Sequence, residues 1–438
     1  MPLPVQAPTR PSPDDSHGWS NVDSQQSKIE RPKRRFHPKL EPRNPKPETR
    51  NPKLETRNPR IAQRFQLTAL TSSPPAVYPT VRVRGGPHER GHSYGRQAAP
   101  RILYTLAYYR RLFEWYAGLD WQRVTDYALR YAPIVADYDR SLTEEMQGIA
   151  DGAAVSFEDI LALNVRTEVM YGLGDLHAAE CTAFAALPEA TTTGHTLLGQ
   201  NWDWHPDAAR SSVVLQMAPD NGPAMTTVVE AGLLAKLGMN DQGIGLVTNA
   251  LVSDVDHGDP GVPYHVLLRS ILACASFGEA VDLVYSARRA SSANYLIASS
   301  TGQAVDLEAA PGDADRVFAL APNHGTLAHA NCFVAENLTV GDETRRLRPL
   351  SQARQRIMEA HLGSSVQELT VERMQEVLRD HDNHPQSMCR HPVDSVHPMD
   401  RSATVVSAVM DLDAGEIWLA DGQPCSHPYR RISVGAEA

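Results

Sequence analysis

The chain changes its periodicity at Cys181, and that switch constrains its fold more than any other feature. From Pro100 to Gly172 the pattern is helical: Leu103, Leu106, Leu112 and Phe113 form a stripe among tyrosines. Ser141-Leu142-Thr143-Glu144 and Ser156-Phe157-Glu158-Asp159 carry the capping-box pattern and predict two further helix starts. From Cys181 on, strand-like runs alternate with turns. Cys181 opens one run, Asp203 closes the next, and Thr191-Thr192-Thr193-Gly194 lies between them. This predicts an antiparallel hairpin with thiol and carboxylate near one end. Such a pair suits a nucleophile and its organiser. A buried structural thiol beside a turn aspartate is the competing reading.

More hairpins follow. Ser212–Ala218 and Ala224–Ala231 flank Pro219-Asp220-Asn221-Gly222-Pro223, and Gly238–Asn240 and Ile244–Asn249 flank Asp241-Gln242-Gly243. Tyr264–Ala275 and Phe277–Ser286 read as helices. Tyr295–Ser299 with Ala304–Ala309, and Thr404–Met410 with Glu416–Ala420, read as further strand pairs. The sum is an α+β chain with two stacked antiparallel sheets covered by helices.

Composition narrows the function class. The 438 residues carry a net charge of −10. Residues 1–62 hold 13 Lys or Arg against 7 Asp or Glu, a balance of +6, which leaves −16 for the rest. An acidic body argues against a nucleic-acid partner. No apolar run approaches the roughly 18 residues of a membrane span, and the N-terminus lacks the apolar core of a signal peptide. Residues 1–78 read as a disordered, basic, Pro-rich tail with a seven-residue repeat beginning Glu41-Pro42-Arg43-Asn44-Pro45. Five widely spaced cysteines (Cys181, Cys274, Cys332, Cys389, Cys425) fit neither a disulfide scaffold nor a zinc finger. They point to a reducing compartment, with the cytoplasm as the expectation.

Glu180-Cys181-Thr182-Ala183-Phe184 and Gly199-Gln200-Asn201-Trp202-Asp203 together resemble the penicillin acyltransferase (acyl-coenzyme A:6-aminopenicillanic acid acyltransferase) family. These are N-terminal nucleophile hydrolases, distantly similar to the choloylglycine hydrolases. Further pieces match in order: Arg90-Gly91 with Tyr94-Gly95, Asn164 to Glu168, Gly238-Met239-Asn240 running into Thr248-Asn249-Ala250-Leu251, His329 to Phe333, Met388 to His391, and Asp421 to Pro424. The likeness spans about Arg84 to Ala420 and implies a four-layer αββα sandwich.

It also implies roles. Cys181 would attack the Glu180 carbonyl, and the chain would part between Glu180 and Cys181 into pieces of 180 and 258 residues that stay together as a heterodimer. The helical segment 79–180 would belong to the small piece, and 181–438 would be the nucleophile-bearing piece. The freed α-amine, with a pKa of about 7.7–8.0, would serve as base for its own thiol. Asp203 matches the aspartate that holds this amine, and Asn249 and Asn331 match asparagines that donate to the oxyanion. Glu180 stands where the penicillin acyltransferase has glycine, and Gln200 where the choloylglycine hydrolases have arginine, which argues against a bile-salt pocket.

For substrate contact, Trp202 is a candidate wall, and Arg345 and Arg401 are candidate carboxylate clamps. Solvated faces are the alternative for both arginines. Arg166 reads as a buried ion-pair partner or a solvated cation. His381, Asp382, His384, Cys389 and His391 crowd one stretch, but their spacing matches no recognised zinc pattern. The stretch reads as a loop at the site rim, and no metal or cofactor is expected. The expected function is a self-processing cysteine amidase or acyltransferase acting on a small N-acyl or acyl-thioester substrate. A hydrolysis-only enzyme for N-acyl amides or peptides and a non-catalytic binding protein are the alternatives.

Overall fold

The computed structural model describes residues 77–173, 180–348, 350–364, 367–385 and 387–435. The expected tail up to residue 76, and residues 174–179 just before the expected cleavage point, lie outside them. The first strand, β1 (Thr80–Gly85), leads into the long helix α1 (Pro87–Ala117). Then come α2 (Trp121–Ala128), α3 (Ala132–Tyr138), α4 (Arg140–Ala153), α5 (Phe157–Asn164) and α6 (Arg166–Leu173). The capping box at Ser156 forms, with Ser156 and Asp159 satisfying each other's backbone amides. The one expected at Ser141 does not. Asp139 caps α4 instead, accepting from the Ser141 amide, so that helix starts ahead of the serine.

Helix α1 also starts well before the expected Pro100. Its first half shows no apolar stripe because glycine, not bulk, makes its contact. A Cβ on Gly95 would stand 2.2 Å from the Ile149 carbonyl oxygen, and one on Gly152 would stand 2.1 Å from that of His92. Gly91 and Gly148 repeat the pattern, so α1 and α4 touch backbone to backbone. Beside them, Arg90 and Arg269 share the buried carboxylate of Glu145 at 2.6 and 3.2 Å.

Cys181 opens the strand series as β2 (Glu180–Ala186) and β3 (Leu197–Trp204). It continues through β4 (Ser212–Pro219), β5 (Met225–Glu230), β6 (Leu237–Asn240) and β7 (Ile244–Ala250). Helices α7 (Tyr264–Ile271) and α8 (Phe277–Ser286) precede β8 (Ala293–Ser299), β9 (Gln303–Ala309), β10 (Val317–Leu320) and β11 (Thr326–His329). Helices α9 (Glu343–Leu347), α10 (Ser351–Ser364) and α11 (Val371–Leu378) follow, then β12 (Ala403–Asp411), β13 (Glu416–Ala420) and β14 (Arg430–Ser433). Each hairpin expected from the turn signals forms with antiparallel pairing.

Two sheets result. One runs β1-β4-β5-β6-β7-β8-β9-β10, and the other β11-β2-β3-β12-β13-β14. Strand β1, which no turn signal announces, pairs in parallel with β4, whereas the other pairings within the sheets are antiparallel. The sheets face each other through β2 and β3 against β7: a Cβ on Gly245 of β7 would meet Leu198 of β3 at 2.8 Å. Helices α1 and α8 lie over the eight-stranded sheet, α7 is bonded to it through Tyr264 and Thr248, and α10 and α11 lie over the other. This is the expected α+β architecture of helices, sheet, sheet and helices.

Strand alternation divides β2 between two cores. Cys181, Ala183 and Ala185 face the large core between the sheets, while Phe184 and Ala186 join Leu197, Met358, Leu362, Met374 and Val377 under α10 and α11. With both faces covered, β3 is buried along its whole length. Polar side chains on it therefore need internal partners. No helix among the described residues is long and apolar enough to cross a membrane.

Candidate active site

Cys181 sits at the second residue of β2, fully buried, with Trp202 as its register partner and Asp203 opposite Glu180. Thiol and carboxylate therefore share one end of the hairpin. Alternation puts the Trp202 ring on the thiol's face of the sheet and the Asp203 carboxylate on the other. On that second face Asp203 Oδ1 accepts from Thr404 Oγ at 2.6 Å, and Thr404 Oγ in turn accepts from the Arg390 amide at 2.9 Å. Cys389 and Arg390 lie midway along the connection from α11 to β12. Asn201, two residues before Asp203, donates to the Leu378 and Met388 carbonyls at 2.8 and 2.9 Å. The end of β3 is thus fixed by side chains reaching into that loop.

The Cys181 backbone nitrogen, the atom that cleavage would turn into an amine, donates to Asn331 Oδ1 at 2.5 Å. Asn331 Nδ2 is anchored to the Ala250 carbonyl at 2.9 Å, and Asn331 Oδ1 also receives Arg354 Nη2 at 3.2 Å. Asn249 is the next-to-last residue of β7, its Nδ2 donating to the His329 carbonyl at 3.3 Å and its backbone amide donating to Asn294 Oδ1. Asn331 meets the cysteine directly, and each asparagine is held by one donor of its two-proton amide. Gln200 spans the two sheets. Its Nε2 donates to the Thr248 carbonyl at 2.5 Å and its Oε1 accepts from the Thr248 amide at 3.2 Å.

A buried polar network supports the asparagines. Asn294 Nδ2 donates to Asp306 at 2.7 Å, and His329 Nε2 lies 2.8 Å from Glu308, which also accepts from the Val334 and Ala335 amides. Burial works against a charge on His329, but Asp306 and Glu308 outweigh it and hold the imidazole up at about 9. This ion pair pins the residues from His329 to Ala335.

Lys236 shapes the electrostatics on the thiol's face. It is 3% exposed, donates to Tyr264 Oη at 2.9 Å, and lies 5.6 Å from the centre of the Trp202 ring. Burial lowers its ammonium to about 8. Burial also pushes the Cys181 thiol up to about 11 in the uncleaved chain, while Lys236 and Arg354 pull it down. Lysine is not among the residues singled out from sequence, yet a signal was present. It is the one lysine among residues 54–438, where every other permanent cation is arginine. Lysine is the cation whose pKa moves readily on burial. Arg354, fully buried and bonded to Thr182 Oγ at 3.2 Å, carried no comparable signal within its arginine-rich helix.

Arg166 is buried and pairs with Glu230 at 2.9 Å, not with Glu168. Tyr108 and Tyr109 donate to the same Glu230 carboxylate and receive the Trp204 indole N–H, so α1, α6, β3 and β5 meet at one polar knot. Glu168 instead accepts from the Tyr264 amide and Ser291 Oγ, each at 2.8 Å. Arg345 pairs with Asp342 and donates to the Phe333 carbonyl at 3.0 Å, two residues beyond Asn331. Arg401 donates to the Val396 and Asp394 carbonyls at 3.1 and 2.9 Å.

Residues 190–426 match the family model described as acyl-coenzyme A:6-aminopenicillanic acid acyl-transferase. The chain is 27% identical over 314 residues to the acyl-coenzyme A:6-aminopenicillanic-acid-acyltransferase 40 kDa form of Emericella nidulans, covering 71% of this chain and 84% of that protein. Among solved structures it is similar to a mutant conjugated bile acid hydrolase from Clostridium perfringens, with 13% identity, TM-score 0.39, and coverage of 59% of this chain and 93% of that one. It is also similar to penicillin V acylase from Agrobacterium tumefaciens, with 12% identity, TM-score 0.38, and coverage of 58% and 86%. The family model covers more than half of the sequence, and the chain belongs to the acyl-coenzyme A:6-aminopenicillanic acid acyl-transferase family.

Proposed function

We propose that the protein is a self-processing enzyme that forms an acyl-thioester on Cys181 and passes the acyl group to an amine or to water. The observation that carries this reading is the Cys181 backbone nitrogen held by Asn331 Oδ1 at 2.5 Å, beside a buried thiol in the field of Lys236. The nitrogen of a future α-amine already has its acceptor.

In processing, Sγ attacks the Glu180 carbonyl carbon and forms a C–S bond as the C–N bond breaks. The thiol proton ends on the departing nitrogen. Water then cleaves the thioester, leaving the Glu180 carboxylate and a Cys181 with both thiol and free amine. The pieces stay together because β1 and α1–α6 share the core with the strands after Cys181, joined by the buried pair of Arg166 and Glu230.

In turnover the amine takes the Sγ proton and the thiolate attacks the substrate's acyl carbon. The leaving group takes that proton and departs, and an amine or water attacks the thioester in turn. Asn249 and Asn331 each offer a second amide proton to the oxyanion, and Asp203 orients the amine from the hairpin end. Trp202 walls the acyl group. Arg345, near Asn331, and Arg401 are the clamps for a substrate carboxylate. Five cysteines without a disulfide fit the reducing cytoplasm.

The test incubates the protein with panels of acyl-coenzyme A, β-lactam and N-acyl amino acid compounds and searches by mass for an acylated Cys181. An adduct on the 181–438 piece, absent from Asp203→Asn or formed at least about 100-fold more slowly there, supports the reading. An acyl group carried on another residue, or undiminished turnover in Asp203→Asn, contradicts it.

A further inference from the structure

We propose that His381, Cys389, His391 and Cys425 form a structural zinc site. Local spacing hides this set, because the fourth member comes from the turn after β13. The four donor atoms lie within 4.8 Å of one another. His391 Nε2 stands 3.1 Å from His381 Nε2, 3.6 Å from Cys389 Sγ and 3.3 Å from Cys425 Sγ.

These separations are within hydrogen-bond range, yet hydrogen bonds cannot satisfy all three at once. A neutral imidazole nitrogen has one proton or one lone pair, so Nε2 of His391 can serve only one of three such neighbours. A tetrahedral zinc with Zn–N of about 2.05 Å and Zn–S of about 2.3 Å has N···N edges of about 3.3 Å and N···S edges of about 3.6 Å. One cation at the centre uses a lone pair from every member. Two thiolates cancel its double charge. A two-sulfur, two-nitrogen tetrahedron selects zinc over harder ions. Four protein donors leave no open position, so the role is structural.

The place of the site shows what it would brace. Cys389 donates its amide to the Asp380 carbonyl at 2.9 Å, and Arg379 Nε donates to the Pro424 carbonyl at 3.0 Å. The ion would therefore tie the loop after α11 to the turn holding Cys425. That same loop takes one hydrogen bond from Asn201, at Met388, beside the one that Leu378 takes at the end of α11, and through Arg390 and Thr404 it supports Asp203. Zinc would fasten the outer side of the hairpin that carries the candidate nucleophile.

The experiment measures metal in full-length protein expressed with added zinc and purified without a chelator or a polyhistidine tag. About one zinc per chain is expected by elemental mass spectrometry. Cobalt exchanged into the protein should show the intense visible bands of a tetrahedral thiolate site. Cys425→Ser and His391→Ala should drop bound metal to background while circular dichroism keeps the wild-type fold, and Cys274→Ser should keep its zinc. Cys425 is exposed, so its serine variant tests binding with little risk to folding. Metal-free wild-type protein after zinc addition, zinc retained by Cys425→Ser, or a Cys389–Cys425 disulfide in peptide maps would each overturn the proposal.

Discussion

At the scale of single residues, the central relation is between Cys181 and Lys236. Burial moves the two groups in opposite directions, the thiol up to about 11 and the ammonium down to about 8. Lys236 therefore keeps its charge only below about 8, and there the ammonium favours any thiolate that Cys181 forms. In the uncleaved precursor, alkylation of Cys181 should accelerate as pH rises towards about 11, where the thiol itself titrates. Lys236→Met removes the ammonium, so alkylation below pH 8 should slow, and the gap to wild type should close as pH climbs through about 8. Thiol-labelling rates followed by mass across a pH series check this, and an unchanged profile in Lys236→Met removes lysine from the account. The sequence already marked Cys181, Asp203, Asn249 and Asn331 by their order along the chain. Their polar supports were not legible, because Lys236, Arg354 and Glu308 acquire their meaning only when distant strands meet.

At the scale of elements, turn chemistry made the hairpins legible, and the contact between α1 and α4 escaped because it rests on absent side chains. Gly95→Ala places a methyl group 2.2 Å from a backbone carbonyl oxygen, so the helices must part. An overpacking cost of about 1–3 kcal/mol is expected, read as a lower denaturant midpoint. Strand β1 was missed for a related reason: it pairs in parallel with a distant strand, and no local turn announces it.

The segment after β11 offers a pH test. His329 is raised from 6.5 to about 9 by Asp306 and Glu308 against the opposing effect of burial. Because the folded value lies above the unfolded one, its contribution is fully present below 6.5 and fades as pH climbs through about 9. His329→Gln should lower stability by about 3–5 kcal/mol at neutral pH, since it leaves the buried carboxylates without their cation. Urea unfolding of wild type and variant at neutral and alkaline pH measures it. A gap between the two proteins that does not narrow above pH 9 contradicts the assignment.

At the scale of the whole molecule, the order of a helical region followed by hairpins was enough to anticipate two sheets between helical layers. It was not enough to anticipate which side chains each layer would bring to the other. Cys425 joins the loop before β12 across an interval that no local motif spans. The proposed chemistry nevertheless begins at a single bond, the peptide between Glu180 and Cys181. Intact-mass analysis with N-terminal sequencing of the purified protein tests it most directly. Two associated pieces of 180 and 258 residues are expected, the second beginning at Cys181, with a single uncleaved chain in Cys181→Ala. A wild-type protein that remains one full-length chain, or whose second piece begins at any other residue, would contradict it.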